Sequence, residues 1–68
     1  MRSHPSEVIE GLHLAVDIGV IERWDALPGE IRPFRVFGWD GKIHRYSLLE
    51  ASAFVDAVES LAAREAPR

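Results

Sequence analysis

The chain has 68 residues and no cysteine, so it can form one small domain without disulfide bonds or thiolate metal ligands. Hydrophobic residues make up 47% of the chain, which argues against disorder, and the net charge of −3 does not favour a nucleic acid or a membrane surface as a partner. A domain of this size buries only about 60% of its unfolded surface, and a homodimer would bury more.

The cellular location is predicted from what the sequence lacks. No apolar segment of the signal-peptide kind follows the N-terminal residues, and no run approaches the roughly 18 apolar residues that cross a bilayer. We therefore expect a soluble, cytoplasmic protein. The alanine- and arginine-rich helical segments suggest a bacterial or phage genome. We expect one domain over residues 1–68, with residues 1–4 and 66–68 frayed.

A first helix is predicted from start signals near the N-terminus. His4, or the serine before it, suits the N-cap, and Pro5 suits the first turn because its missing N–H does no harm there. Apolar residues then recur at helical spacing over residues 8–19. Gly19 suits the position after the C-cap, so the helix should end just before it.

A first strand is predicted over Val20–Leu27. Its β-branched start and Trp24 favour a strand, although apolar and charged residues mix on both of its faces. Pro28 and Gly29 then form a turn signal, and the connection continues to Pro33.

A β-hairpin over Phe34–Leu48 is the strongest local signal. Residues 39–41 fit a type I turn in which Gly41 takes a positive φ and forms a bulge. The turn sets the cross-strand register, and the predicted pairs are Gly38 with Lys42, Phe37 with Ile43, Val36 with His44, Arg35 with Arg45 and Phe34 with Tyr46.

This register separates two faces of the sheet, because side chains alternate along a strand. One face is mainly apolar and contains Phe34, Val36, His44, Tyr46 and Leu48. The other face contains Arg35, Phe37, Ile43 and Arg45.

A second helix is predicted after the hairpin. Ser47 and Glu50 have the spacing of a capping box, in which each side chain accepts a backbone N–H of the first turn. An apolar stripe follows at helical spacing and extends the helix to about residue 63. The stripe contains Ala51, Phe54, Val55, Val58, Leu61 and Ala62.

The elements together predict an α+β fold of order α-β-β-β-α, with a three-stranded antiparallel meander and two helices packed on its apolar face. This order and length are similar to those of double-stranded-RNA-binding domains. That family contacts RNA through a lysine-rich start of its second helix and a histidine in the loop between its first two strands. Here the helix opens Ser47-Leu48-Leu49-Glu50-Ala51 and the loop at residues 27–33 has no histidine, so the resemblance is one of topology alone.

The uncovered face of the sheet is the candidate functional surface. Aromatic side chains beside arginines are typical of protein interfaces and of surfaces that stack on nucleobases, and they are also ordinary cross-strand packing in a small domain. The candidate partner-binding residues are Arg35, Phe37, Trp39, Lys42, Ile43 and Arg45.

Our main hypothesis is a small protein-binding module, a regulator or accessory subunit that recognises another protein or its own copy. The alternative is a nucleic-acid-binding domain that uses Arg32, Arg35, Lys42 and Arg45 on the same face.

Enzymatic chemistry is not predicted. His4, His13 and His44 lack the spacing of metal ligands, and no glycine-rich loop opens a helix to hold phosphates. We expect no catalytic residue, cofactor, metal or small-molecule substrate, and no membrane partner. The acidic residues of both helices form solvated faces, or else face a basic partner.

Overall fold

The structure is a computed structural model that describes residues 4–65. The strands form one antiparallel sheet in the order β1-β2-β3, which confirms the predicted α+β topology. The predicted fraying of the chain ends falls mainly on residues 1–3 and 66–68, outside the described residues. The elements are α1 (Pro5–Asp17), β1 (Arg23–Ala26), β2 (Phe34–Phe37), β3 (Ile43–Tyr46) and α2 (Leu48–Glu65).

Both helices lie on the same face of the sheet. His13 of α1 meets Trp24 of β1 edge to face, with 5.4 Å between ring centroids. Phe54 of α2 stacks on Tyr46 of β3 at 5.5 Å. Trp24 pairs with Val36 across β1 and β2, and Tyr46 lies two residues from the partner of Val36 on β3, so all three share one face. The predicted placement of the helices is therefore confirmed.

Helix α1 begins and ends as its sequence predicts. The His4 imidazole is the N-cap and accepts the backbone N–H of Ser6 at 3.3 Å. Gly19 has a φ of 79° and donates its N–H to the carbonyl of Val16. This is the arrangement of a Schellman motif, which satisfies carbonyl groups that the last turn of a helix leaves free.

The first strand begins later than predicted, at Arg23 instead of Val20. The backbone N–H groups of Val20 and Ile21 both donate to the carbonyl of Ala15, at 2.9 and 3.4 Å, so they complete the end of α1 and cannot pair with β2. Ile21 turns into the core, where it is buried. Glu22 is the first residue bonded to β2, since its N–H donates to the Phe37 carbonyl at 2.9 Å. The irregular pattern at the predicted start of the strand arises because Val20 and Ile21 belong to the end of α1.

The hairpin has the predicted register. Each predicted pair from Phe34 with Tyr46 to Phe37 with Ile43 is observed, and Gly38 donates its N–H to the Lys42 carbonyl at 2.9 Å. Gly41 has a φ of 84°, as the bulged turn requires.

The capping box of α2 is also confirmed. The Ser47 N–H donates to Glu50 Oε1 at 2.9 Å, and the Glu50 N–H donates to Ser47 Oγ at 3.1 Å. The first of these bonds holds the pKa of the Glu50 carboxyl below its usual value, because it stabilises the carboxylate. Helix α2 extends to Glu65, slightly beyond the predicted end.

The core lies between the two helices and the central strand. Phe54, at the centre of the predicted stripe of α2, is only half-buried, as are Leu61 and Ala62. The buried side of α2 faces α1, where Val55 packs directly against Gly11. The contact is so close that an added Cβ at Gly11 would overlap a Val55 methyl and lie 2.8 Å from Val55 Cβ. The buried apolar residues are Val8, Leu12, Ala15, Ile21, Phe34, Val36, Ala51, Val55 and Val58.

Gly11→Ala should destabilise the protein by about 1–3 kcal/mol, the usual cost of overpacking a core. Helix propensity alone predicts the opposite sign, because alanine is favoured over glycine in a helix by about 0.5–1 kcal/mol. Urea unfolding measures the difference in unfolding free energy between Gly11→Ala and wild type. Ala53→Gly, at an exposed position of α2, measures the effect of helix propensity without a change in packing. A Gly11→Ala protein that is more stable than wild type would contradict the close contact of the helices.

Gly41→Val should cost more than 1 kcal/mol, because a β-branched residue is strained at positive φ. Nothing lies within 4 Å of an added Cβ at Gly41, so the loss reports backbone strain and not a clash. Gly41→Asn should cost less, since asparagine tolerates this conformation. Equal unfolding free energies for the two variants would show that the turn does not require positive φ.

Candidate functional site

The sheet face opposite the helices contains two rows of three side chains, which we call the open face. The strand register places Arg23, Phe37 and Ile43 in one row. Asp25, Arg35 and Arg45 form the second row. Ile43 is 55% exposed, whereas the Phe37 and Arg35 side chains of the central strand are half-buried by their neighbours.

Phe37 is covered on its outer side by an arginine. The Arg23 guanidinium carbon lies 3.8 Å from the centroid of the Phe37 ring, and that of Arg35 lies 5.4 Å from it. Both distances are in the range of cation–π contacts. Arg23 was absent from the predicted site, because the register of β1 could not be read from its irregular pattern.

Asp25 of β1 and Arg35 of β2 form a bidentate salt bridge. Arg35 Nε donates to Asp25 Oδ1 at 2.7 Å, and Nη2 donates to Oδ2. The hydrogen bonds that Arg35 donates to Asp25 lower the pKa of the Asp25 carboxyl and raise the pKa of the Arg35 guanidinium, because they stabilise the charged form of each group. The pair neutralises the central charge of the open face, so Arg35 is already engaged.

The other predicted basic residues differ in their surroundings. Arg32 Nε lies 3.3 Å from Glu50 Oε1, so this side chain contacts the start of α2. Lys42 and Arg45 are exposed, and Arg45 is the cross-strand partner of Arg35. Arg32 and Arg45 also line one depression of about 540 Å³. Of the four basic side chains, Arg32 and Arg35 are therefore the two that have carboxylate partners.

Trp39 is separate from the open face. Its indole Nε1 donates to the carbonyl of Gly19 at 3.0 Å, which draws the ring towards the end of α1. It lines a cleft of about 380 Å³ on the helix side of the hairpin, which we call the aromatic cleft. The cleft is lined by Val20, Ile21, Val36, Gly38, Trp39, Asp40, His44, Tyr46 and Phe54.

The structure thus divides the predicted site. Arg35, Phe37, Ile43 and Arg45 lie together in the two rows of the open face. Lys42 lies beside Phe37 and Ile43 along a shallow depression of about 270 Å³. Sequence reasoning missed Arg23 and Asp25, whose only signal was their two-residue spacing in an uncertain strand.

Within residues 4–65, no group of three or more histidine, aspartate or glutamate side chains is placed to hold a metal ion. No helix in this part of the chain has the length and apolar character needed to cross a membrane. Comparison of the chain with protein-family models, curated proteins and solved structures finds no match.

Asp25→Asn should make the unfolding free energy less dependent on pH in the acid range. A carboxyl whose pKa is lowered by folding contributes stability that is complete above its unfolded value, about 3.9, and is lost as the pH falls through its folded value. We therefore expect the difference in unfolding free energy between wild type and Asp25→Asn to be largest at about pH 5–7 and to shrink below about pH 4.

Urea unfolding across this pH range measures the effect, and the Arg35→Gln background is the control. With Arg35 removed, Asp25→Asn should change the pH dependence much less. The same pH dependence in both backgrounds would show that the ion pair is not its cause.

Proposed function

We propose that this chain is a small protein-binding module that acts through its open face, as a regulator or accessory subunit. The observation that carries the proposal is the Asp25–Arg35 pair, which neutralises the centre of the face. Phe37 and Ile43 then form an apolar centre beside it. An apolar centre with a polar rim is the usual anatomy of a protein interface.

The rim of the open face indicates the chemistry of the partner. Arg23, Lys42 and Arg45 surround the apolar pair, while the carboxylate of Asp25 is engaged by Arg35. Excess positive charge at the rim favours a partner surface with acidic residues around an apolar patch. Two copies that met through this face would bring like charges together, so a different protein is favoured over a second copy.

Nucleic-acid binding is the less favoured use of this face. Arg35 and Arg32 both have carboxylate partners, and Phe37 is covered by Arg23 instead of being open for base stacking. Phosphate binding would have to break the ion pairs, or depend on Lys42, Arg45 and an Arg23 that already lies over the Phe37 ring. The proposal includes no catalytic step and no cofactor, and we place the module in the cytoplasm, with which its lack of cysteine is compatible.

The test is affinity capture from a bacterial host lysate with the wild type and with Phe37→Ser combined with Ile43→Thr. Phe37 is half-buried and Ile43 is exposed, and neither belongs to the buried core, so the double variant should remain folded. It should lose the captured partner, because central apolar residues supply most of the energy of an interface. Ile31→Thr with Leu49→Ser is the matched control, since those side chains are 91% and 60% exposed and lie off the sheet.

The outcome separates the classes of partner. A captured protein that the double variant loses and the control retains supports the proposal. Capture that nuclease abolishes, and that weakens steeply with salt, indicates nucleic acid and overturns it. A molar mass twice that of the monomer, lost in the double variant, indicates that the partner is a second copy.

A further inference from the structure

The aromatic cleft exists because α2 covers only part of β3. Phe54 stacks on Tyr46, but His44, two residues earlier on the same face, is exposed. The helix side of the sheet is therefore uncovered near the hairpin turn. Val20 and Ile21 border this gap from the end of α1, and Trp39 borders it from the turn.

Four of the residues that line the cleft are aromatic, namely Trp39, His44, Tyr46 and Phe54. His44 and Tyr46 are stacked at 6.3 Å with 8° between their planes, and Tyr46 and Phe54 are stacked at 5.5 Å with 27° between theirs. Trp39 is 65% exposed but is held in place by its hydrogen bond to Gly19. A large exposed indole that is fixed before any ligand arrives loses little conformational freedom on binding.

Asp40 is the acidic residue among those that line the cleft. One carboxylate oxygen of Asp40 accepts the Lys42 backbone N–H at 3.0 Å. Helix α1 has no basic residue in its last turn to offset the negative end of its dipole, and this end leads directly into Val20 of the cleft wall. The basic side chain among the lining residues is that of His44.

We propose that the aromatic cleft binds a small organic cation, an alkylated ammonium group such as that of choline. Tryptophan is the aromatic side chain that attracts such cations best, and Trp39 is the large exposed ring of the cleft, while the Asp40 carboxylate adds a charge of the complementary sign. The volume of about 380 Å³ lies in the range of small-molecule sites, roughly 300–1,000 Å³. An anion would be repelled by Asp40, and a neutral apolar molecule would gain nothing from it.

The experiment is an NMR titration of the full-length ¹⁵N-labelled protein with choline and with 3,3-dimethylbutan-1-ol, which has the same shape without the charge. Choline should shift the indole N–H signal of Trp39. The indole N–H signal of Trp24, which packs against His13 of α1, should not shift and is the internal control. We expect choline to bind about 3- to 10-fold more tightly than the alcohol, which is the gain in affinity that a cation–π contact at a partly exposed site provides. Equal affinities, or a Trp39 signal that does not respond, would overturn the proposal.

Two variants test the residues. Asp40→Asn keeps an acceptor for the Lys42 N–H but removes the charge, so it should weaken choline several-fold and leave the alcohol unchanged. Trp39→Leu should weaken both probes, and Leu49→Ala, outside the cleft, should weaken neither. Wild-type affinity for choline in Asp40→Asn would show that the carboxylate has no part in binding.

Two further measurements complete the test. The first identifies the source of the cation, and the second asks whether the aromatic cleft binds it independently of the open face. N-acetyl-trimethyllysine amide carries the same ammonium group on a protein side chain, so its affinity relative to choline shows whether the site prefers a free molecule or a modified lysine. The Phe37→Ser, Ile43→Thr protein should bind choline like wild type, because those residues lie outside the cleft. Loss of choline binding there would overturn the assignment of the cation to the aromatic cleft.

Discussion

The close contact of the two helices at Gly11 and Val55 determines how the rest of the domain is arranged. Because no Cβ separates them there, α1 and α2 pack as a narrow pair. A narrow pair covers the central strand, where Phe34 and Val36 are buried, but leaves Ala26 and His44 on the edge strands exposed. The uncovered end of the sheet that forms the aromatic cleft is a direct consequence of this helix packing.

The central strand β2 gives the two faces of the sheet different chemistry. Its Phe34 and Val36 enter a core that excludes water, while Arg35 and Phe37 face outwards. The outward residues are stabilised by β1, since Asp25 pairs with Arg35 and Arg23 lies over Phe37. A charged layer of this kind lets a small domain leave one sheet face uncovered, because the aromatic ring is shielded and the central charge is compensated.

The sequence predicted the parts of the fold that depend on short-range physics. The capping box at Ser47 and Glu50, the positive φ at Gly41 and the end of α1 at Gly19 each depend on neighbouring residues, and each is confirmed. The predicted start of β1 was wrong, and within the predicted stripe of α2 the burial of Phe54, Leu61 and Ala62 is only partial, because both features depend on long-range contacts. In the site, the same limit concealed Arg23 and Asp25, and Trp39, which the sequence groups with the open face, lines the aromatic cleft instead.

The two outer strands restrict how the sheet can grow. β1 and β3 have four residues each, and their outward backbone groups have no strand beside them in the described chain. Such edges invite pairing with other chains, and short length together with charged side chains opposes it. Arg23 and Asp25 on β1 and Arg45 on β3 provide those charges. Addition of a strand to either edge is therefore disfavoured, which opposes the edge-to-edge association of sheets that leads to fibres.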